Sequence, residues 1–208
     1  LKGVLNDGAL TVNAALYTAD WEDVQISGNR QSDGAQFVSN IAGAELNGLE
    51  MELTNSFSDS LMVGLSLNLS NSEVSDITQY QAAFSGAEMG TRLVGPDQKF
   101  AGFAQYNMPV NGNEVVIRAD IQHVGDMPNT FPNALGDPDS PNGDYAIVPS
   151  YTNMNASIGY VTDDWSVAVY AENLFDNDDY TFIGPTPFQD FRYKTLRPRT
   201  FGVRLTMR

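Results

Sequence analysis

Residues 61–72 read "LMVGLSLNLSNS", and from Leu61 to Leu69 every second position holds leucine or valine. The positions between them hold methionine, glycine, serine and asparagine. Successive side chains of a β-strand point to opposite faces of its sheet, so this period of two predicts a strand with one apolar face. The opposite face is too polar for the dry core of a soluble domain.

Seven more segments alternate in the same way, while almost nothing in the sequence indicates a helix. One of them is irregular, because Phe103 interrupts its alternation. The sequence therefore predicts an all-β protein of about eight strands. The other predicted strands are residues 10–21, 48–53 (with a start upstream near Phe37), 100–108, 115–122, 152–160, 165–172 and 201–208.

Short and long connections alternate strictly along the chain, and the short ones carry turn-forming residues such as "NDG" and "VNGN". In an up-and-down antiparallel sheet, this alternation places every tight turn at one end and every long loop at the other. That sorting is typical of outer-membrane barrels, whereas a soluble sandwich has no reason to sort its loops by length. The tight turns are 6–8, 56–60, 109–113 and 161–164, and the long connections are 27–36, 75–98, 125–149 and 173–196.

The composition excludes several classes of protein. A net charge of −15 over 208 residues leaves no basic surface that could follow a phosphate backbone, so we expect no nucleic-acid partner. The absence of cysteine excludes a disulfide framework and a thiolate metal site. No run approaches the ~20 apolar residues of a membrane helix, so hydropathy alone predicts a soluble protein. Membrane strands escape that test, because only half of their residues are apolar.

The polar residues of the predicted strands indicate which face meets water. A charge that faces lipid in the middle of a bilayer costs about 2–4 kcal/mol. We therefore expect the charged and amide side chains of the alternating segments to face a water-filled lumen. These lumen-facing candidates are Glu50, Glu52, Arg118, Asp120, Gln122 and Arg204.

Four aromatic residues near the ends of predicted strands fit the girdles that mark the two membrane surfaces. They are Trp21, Tyr106, Tyr160 and Trp165, and ordinary half-buried packing is the competing interpretation.

Four stretches resemble the C-terminal part of TonB-dependent outer-membrane receptors, and they occur in the order that this family has. The final strand of the family normally ends in an aromatic residue, usually phenylalanine, that the barrel-assembly machinery reads. The resemblance implies a phenylalanine after Arg208. The stretches are "NAALYTADWEDVQI" (13–26), "GAELNGLEMEL" (43–53), "YAENLFDNDDY" (170–180) and "RPRTFGVRLTMR" (197–208).

The resemblance implies an antiparallel up-and-down transmembrane β-barrel of about 22 strands closed around a plug. Residues 1–208 would supply its C-terminal segment of about eight strands, without the plug domain and the N-terminal strands. The complete protein would lie in the cell outer membrane of a Gram-negative bacterium. It would import a scarce ligand, such as a ferric siderophore, a similar chelate or a carbohydrate, with energy coupled from the inner membrane.

The implied partners are outer-membrane lipid and lipopolysaccharide, the plug and the remaining barrel strands, and the barrel-assembly machinery. The TonB energy-coupling protein would act through the missing N-terminal part. The implied process is translocation, so we expect no enzyme activity and no cofactor. The single histidine, His123, cannot supply a His-based catalytic triad, and Glu50 with Glu52 fits a solvated wall better than an acid–base pair.

Two long connections are candidates for ligand contact. Aromatic and cationic residues alternate between 180 and 199, which suits an anionic iron chelate or a sugar, and suits loop–loop packing equally. Residues 125–149 contain Asp137, Asp139 and Asp144 as weak calcium ligands, although their spacing does not fit an EF-hand and an exposed turn-rich loop explains them better. The proposed ligand contacts are Tyr180, Phe182, Phe188, Phe191, Arg192 and Tyr193.

Two alternatives stay open at this point. A complete eight-stranded barrel could act as a structural protein or a passive pore, although the predicted interior residues are mostly too small to fill a narrow barrel. A soluble sugar-binding β-sandwich would fit the acidity and the aromatic loops. Dependence on detergent separates the sandwich from both barrels.

Overall fold

The structure is a computed structural model that describes residues 1–29, 36–134, 137–141, 143–186 and 189–207. Within these ranges, the side chains of 26–37, 39, 41, 83–84, 134–142 and 185–190 are not described. The elements are β1 (Lys2–Leu5), a short 3-10 helix (Asn6–Gly8), β2 (Leu10–Asn29), β3 (Gln36–Ser56), β4 (Leu61–Asp76), α1 (Gln79–Ser85), β5 (Gln98–Val110), β6 (Asn113–Val124), β7 (Met127–Pro128), β8 (Asn133–Ala134), β9 (Asp137–Pro141), β10 (Ile147–Val148), β11 (Tyr151–Val161), β12 (Trp165–Glu172), β13 (Tyr180–Thr186), β14 (Gln189–Thr195) and β15 (Thr200–Met207).

Nine of these strands form one antiparallel sheet in the order β1-β2-β3-β4-β5-β6-β11-β12-β15. Each strand of this wall pairs with the wall strand that follows it in the chain, so the topology is up-and-down throughout. Among the described residues, β1 and β15 form the two edges and the barrel is not closed. The predicted all-β, antiparallel, up-and-down fold is confirmed.

All eight predicted strands are present, and β3 begins at Gln36, close to the predicted start. The sequence analysis missed the four-residue β1 and underestimated the lengths of β2 and β3, which have 20 and 21 residues. It also missed the helix α1. Thr78 caps this helix in a capping box with Gln81, and Gly86 ends it in the left-handed conformation at φ 70°.

The connections are sorted by length as predicted, with one exception. Tight turns at 6–9, 57–60, 111–112 and 162–164 lie at one end of the wall, and connections 77–97, 125–150 and 173–199 lie at the other. The segment 27–36 was predicted to be a long connection, but residues 27–29 and 36 belong to the paired ladder of β2 and β3, and residues 30–35 lie outside the described residues. Three two-stranded sheets form in the long connections: β7 with β10, β8 with β9, and β13 with β14.

One face of the wall consists of large apolar side chains that no part of the described chain covers. Leu65 and Leu69 are each 40% exposed, Ile158 is 51% exposed and Val203 is 69% exposed. The register carries these apolar positions from strand to strand, for example Ile117 to Ile158 to Val169 to Val203. A water-soluble sheet would bury such a face against a second layer.

Three of the four predicted girdle residues lie on this apolar face near the tight turns. Tyr106 pairs with Ile117, Tyr160 pairs with Val115, and the rings of Tyr160 and Trp165 are 5.9 Å apart. The prediction for Trp21 was wrong. Trp21 lies inside β2 opposite Ala44, on the face that carries Glu50 and Glu52, because β2 runs eight residues beyond the predicted strand end.

The buried hydrophobic core lies at the end with the long connections, on the polar face of β2, β3 and β4. Alternation places Ala44 on the same face as Glu50, and Val74 on the same face as Ser66. The core consists of Val24, Ala42, Ala44, Val74, Ala87, Leu93 and Phe131. In the described part of the chain, no helix has the length and the apolar character needed to cross a membrane.

Candidate functional site

The six residues proposed to face a lumen lie on one face of the wall, opposite the exposed leucines. Register connects Glu52 to Ser66, Ala101, Gln122 and Asn153 in one row across five strands. A depression of about 400 Å³ opens on this polar face, and Asp120 and Gln122 contribute to its lining. A second depression of about 480 Å³ is lined in part by Glu50 and Glu52.

Arg118 is held in place by its neighbours on the polar face. Its Nη2 lies 2.6 Å from Asp120 Oδ1, its Nη1 donates to Gln105 Oε1 at 3.2 Å, and its guanidinium lies 4.2 Å from the centre of the Phe103 ring. Both carboxylate oxygens of Asp120 accept from Nε, at 3.0 and 3.1 Å. The bidentate carboxylate and the aromatic ring fix the planar guanidinium, so Arg118 and Asp120 form a well-oriented ion pair on this face.

Phe103 broke the predicted alternation because its ring belongs to the polar face. It pairs with Gly64 on β4, and a Cβ at Gly64 would collide with the ring. The same arrangement occurs at Tyr170 opposite Gly202, where Arg204 lies 5.3 Å from the ring centre. Glycine thus makes room for an aromatic ring that lies flat against the wall, and a guanidinium packs over that ring.

Glu50 and Glu52 remain exposed or half-exposed on this face. The Oε1 of Glu50 accepts a hydrogen bond of 3.2 Å from Asn68 Nδ2. No arginine or lysine of the described chain forms an ion pair with either carboxylate.

The proposed ligand-contact residues lie on the hairpin β13–β14, which is separate from the wall. Phe182 pairs with Lys194, and Gly184 pairs with Arg192. Lys194 Nζ lies 5.2 Å and the Arg192 guanidinium 5.6 Å from the centre of the Phe182 ring. Neither cation forms an ion pair with a described carboxylate. The sequence analysis did not include Lys194 among its contacts.

The other proposed contacts of the hairpin group around Tyr193. The ring centres of Tyr180 and Tyr193 are 4.9 Å apart, and those of Phe191 and Tyr193 are 6.2 Å apart. The hairpin therefore has a cationic face around Phe182 and an aromatic face around Tyr193. Phe188 lies outside the described residues.

Asn173 anchors the base of the connection that carries this hairpin. Its side chain is 3% exposed, its Nδ2 donates to the carbonyls of Asn177 and Arg197 at 2.7 and 2.9 Å, and its Oδ1 accepts from the Asn177 N–H at 3.1 Å. Asp176 Oδ1 accepts from the backbone N–H of Arg199 at 2.9 Å. The "NLFDN" stretch thus ties β12 to the start of β15.

The remaining candidates contribute little to a site. His123 Nδ1 lies 2.8 Å from Thr152 Oγ1 on the apolar face, where a structural role was expected. The side chains of Asp137 and Asp139 lie outside the described residues, and Asp144 is exposed. The described side chains contain no group of three histidine or acidic residues that could hold a metal ion.

Comparisons with known proteins agree with this architecture. Residues 1–174 match the family described as TonB dependent receptor-like, beta-barrel. No curated protein matches the chain. The structure resembles the ferric yersiniabactin uptake receptor FyuA from Yersinia pestis, with a TM-score of 0.70, 20% identity, and coverage of 95% of this chain and 27% of that one.

Two further solved structures show the same likeness. The ferripyoverdine receptor of the outer membrane of Pseudomonas aeruginosa has a TM-score of 0.67 and 17% identity over 98% of this chain and 25% of its own. The copper transporter OprC has a TM-score of 0.67 and 16% identity over 97% of this chain and 29% of its own. The chain thus spans about a quarter of the length of these structures. Given its wall, its sorted connections and this match over residues 1–174, the chain belongs to the β-barrel family of TonB-dependent receptors.

Proposed function

We propose that the complete protein is an importer in the cell outer membrane of a Gram-negative bacterium, and that these 208 residues form part of its wall and mouth. The observation that carries this proposal is the two-sided wall. One face exposes rows of large apolar side chains, and the other carries the charges. Such a sheet is stable where one side meets hydrocarbon and the other meets water.

The ligand of this importer is an anionic metal chelate. Arg192 and Lys194 flank the Phe182 ring on a hairpin of the long-connection end, in a chain whose net charge is −15. Two cations on one face of the hairpin attract a carboxylate or catecholate chelate, and the aromatic face around Tyr193 adds contact area. FyuA is a ferric yersiniabactin uptake receptor, and the Pseudomonas aeruginosa receptor binds ferripyoverdine.

Uptake by the complete receptor tests this function. We expect cells that express it to accumulate ⁵⁵Fe supplied as a ferric siderophore, with ferric yersiniabactin and ferripyoverdine as the first probes. Deletion of the energy-coupling protein should abolish accumulation. Uptake that persists without energy coupling would contradict active import and support the passive pore, and a complete protein that stays monomeric and soluble without detergent would support the sandwich.

Arg192→Gln tests the ligand-contact surface separately. Loss of a charge-assisted contact is expected to weaken binding of the transported ferric chelate to whole cells about tenfold. Arg197→Gln is the matched control, because Arg197 lies in the same connection but 3.6 Å from Glu172 at its base. Equal effects of both substitutions would contradict the assignment of the hairpin as a binding surface.

The proposed partners follow from the two faces of the wall. The apolar face meets outer-membrane lipid and lipopolysaccharide, and the polar face, with Glu50, Glu52, Arg118, Asp120, Gln122 and Arg204, lines the lumen against the plug. The open edges at β1 and β15 pair with the remaining barrel strands. The TonB protein and the barrel-assembly machinery complete the set of proposed partners. Asp137, Asp139 and Asp144 stay weak candidates for a calcium site.

A further inference from the structure

Two long connections fold back onto the polar face of the wall, and we call segments 77–97 and 125–134 together the shelf. Leu93 of the first segment and Phe131 of the second are 9% and 7% exposed. Both belong to one hydrophobic cluster with Ala44 and Val74. Because Ala44 and Val74 lie on the polar face, the shelf covers that face at the end with the long connections.

The first segment of the shelf extends the wall through backbone hydrogen bonds. Val74 N–H donates to Thr91 O at 2.9 Å, and Leu93 N–H donates to Ser72 O at 3.0 Å. These two bonds enclose the bridge between Glu73 and Arg92, which makes them a directly opposed, non-hydrogen-bonded antiparallel pair. Further along, Ser70 N–H donates to Asp97 O at 2.8 Å.

Arg92 joins the two segments of the shelf. Its Nη1 donates to Asp126 Oδ2 at 3.0 Å, and its Nη2 donates to the Asp126 carbonyl and, at 3.3 Å, to the Gly95 carbonyl. Its Nε lies 2.9 Å from Asp97 Oδ2 without pointing at it, so this contact is an ion pair rather than a hydrogen bond. The Arg92 side chain is 29% exposed, so water and salt screen its interactions with these carboxylates less than they would at a fully exposed site.

We propose that Arg92 is a latch that holds both segments of the shelf as one fixed unit, so that the mouth of the receptor opens on the side of the β13–β14 hairpin. The part that concerns the mouth rests on the proposed import function, whereas the latch itself does not. Release of the shelf from the wall would uncover Leu93 and Phe131, and separation of its two segments would break the ion pair between Arg92 and Asp126. Among the described side chains of the hairpin, Ile183 is the single large side chain that is buried. Movement of the hairpin would therefore expose less apolar surface than release of the shelf would.

Hydrogen exchange of the purified full-length receptor in detergent tests the latch. Arg92→Gln is expected to speed amide exchange at least about tenfold in both 87–97 and 125–134, because it removes several charge-assisted contacts. Arg199→Gln is the matched control, since Arg199 lies 3.6 Å from Asp176 within a single connection. It should leave exchange in both segments unchanged.

An engineered disulfide tests whether the position of segment 87–97 can be fixed without the charge of Arg92. The chain contains no cysteine, so Glu73→Cys with Arg92→Cys introduces one thiol pair at an opposed position with suitable geometry. The reduced variant should exchange as Arg92→Gln does. Oxidation should restore slow exchange in 87–97 but not in 125–134, because Asp126 still lacks its arginine.

The outcomes are distinct. Faster exchange in only one segment of Arg92→Gln, or in neither, would overturn the latch. In cells, the oxidised variant should take up the probes ferric yersiniabactin or ferripyoverdine at least as fast as the reduced one, and a block on oxidation would overturn the fixed shelf. Failure of the unmodified receptor to take up any ferric chelate would count against the proposed function, while the exchange result would still decide the latch.

Discussion

Single side chains show why some features of this chain were readable from its sequence and others were not. The lumen candidates were found because a charge is easily recognised on an alternating strand, and the register places them on one face. Phe103 interrupted the predicted alternation of apolar and polar residues. Its position could not be explained from the sequence, because the sequence does not show that Gly64 lies opposite and leaves room for the ring. Arg92 was missed for the same reason, since Asp126 is 34 residues away in the chain.

Asn173 makes a residue-level prediction about the base of the hairpin connection. At φ 49°, asparagine and glycine are tolerated, whereas alanine is strained. Asn173→Gly should lose about 2–3 kcal/mol from three hydrogen bonds, and Asn173→Ala about 1–2 kcal/mol more. Thermal unfolding of the complete receptor in detergent measures both. Equal stability of the two variants would show that backbone strain does not contribute to the free energy of unfolding at this position.

Gly64 makes a second prediction of this kind. Gly64→Val should destabilise the receptor by about 1–3 kcal/mol, because the new side chain collides with the Phe103 ring. Phe103→Ala combined with Gly64→Val removes the collision, so the double variant should be more stable than the sum of the two single changes predicts. Urea unfolding in lipid vesicles measures the coupling, and strictly additive effects would refute the ring-over-glycine contact.

A strand was predicted only over the residues in which apolar and polar positions alternate without interruption. In β3 the apolar positions change phase, with Ala44 and Leu46 at even positions and Leu49, Met51 and Leu53 at odd positions. The structure explains the change, because the even residues meet the shelf on the polar face while the odd ones belong to the exposed apolar face. A phase reversal of this kind marks where the apolar side chains of β3 change from the uncovered face to the face that meets the shelf, and it could have revealed the longer strand.

The helix α1 was missed although its signals were present. Thr78 and Gln81 have the spacing of a capping box, and Gly86 stands where a helix usually ends. A helix of seven residues shows no amphipathic period of its own, so end signals are the only ones available.

The two faces of β6 predict opposite responses to the same substitution. Ile121→Arg should destabilise the inserted receptor by about 2–4 kcal/mol and lower its amount in the outer membrane, because it places a charge on the apolar face. Gln122→Arg adds the same charge one residue further, on the polar face, and should be tolerated. Heat-modifiable migration of the folded barrel on gels measures both. Equal loss in both variants would contradict the two-sided wall.

The sorting of the connections by length predicts that the end of the wall with the long connections faces the cell exterior. Residues 1–208 contain no cysteine, so Asp59→Cys in a tight turn and Met89→Cys in a long connection each add a single thiol to this part of the receptor, and the unsubstituted receptor gives the background labelling. A membrane-impermeant maleimide on intact cells should label Met89→Cys, which is 63% exposed as methionine, and should spare Asp59→Cys until the outer membrane is opened. The reverse pattern would invert the proposed orientation.

The global architecture was predictable because alternation, turn chemistry and connection length all point to one topology. The packing of the long connections was not, since the cluster around Phe131 joins β2, β3, β4 and two connections across more than a hundred residues. The proposed ligand surface on the hairpin was recognised only from its composition of aromatic and cationic residues. Its division into a cationic and an aromatic face depends on the register between Phe182 and Lys194.

The uncovered apolar face of the wall has a consequence for how the protein behaves in water. The described part of the chain leaves large side chains of this face in solvent; Leu16 is 84% exposed and Phe201 is 67% exposed. In water, such side chains on different molecules would associate with one another. Residues 1–208 in isolation should therefore aggregate unless lipid, detergent or another protein covers this face, whereas the shelf buries its apolar side chains against the same chain.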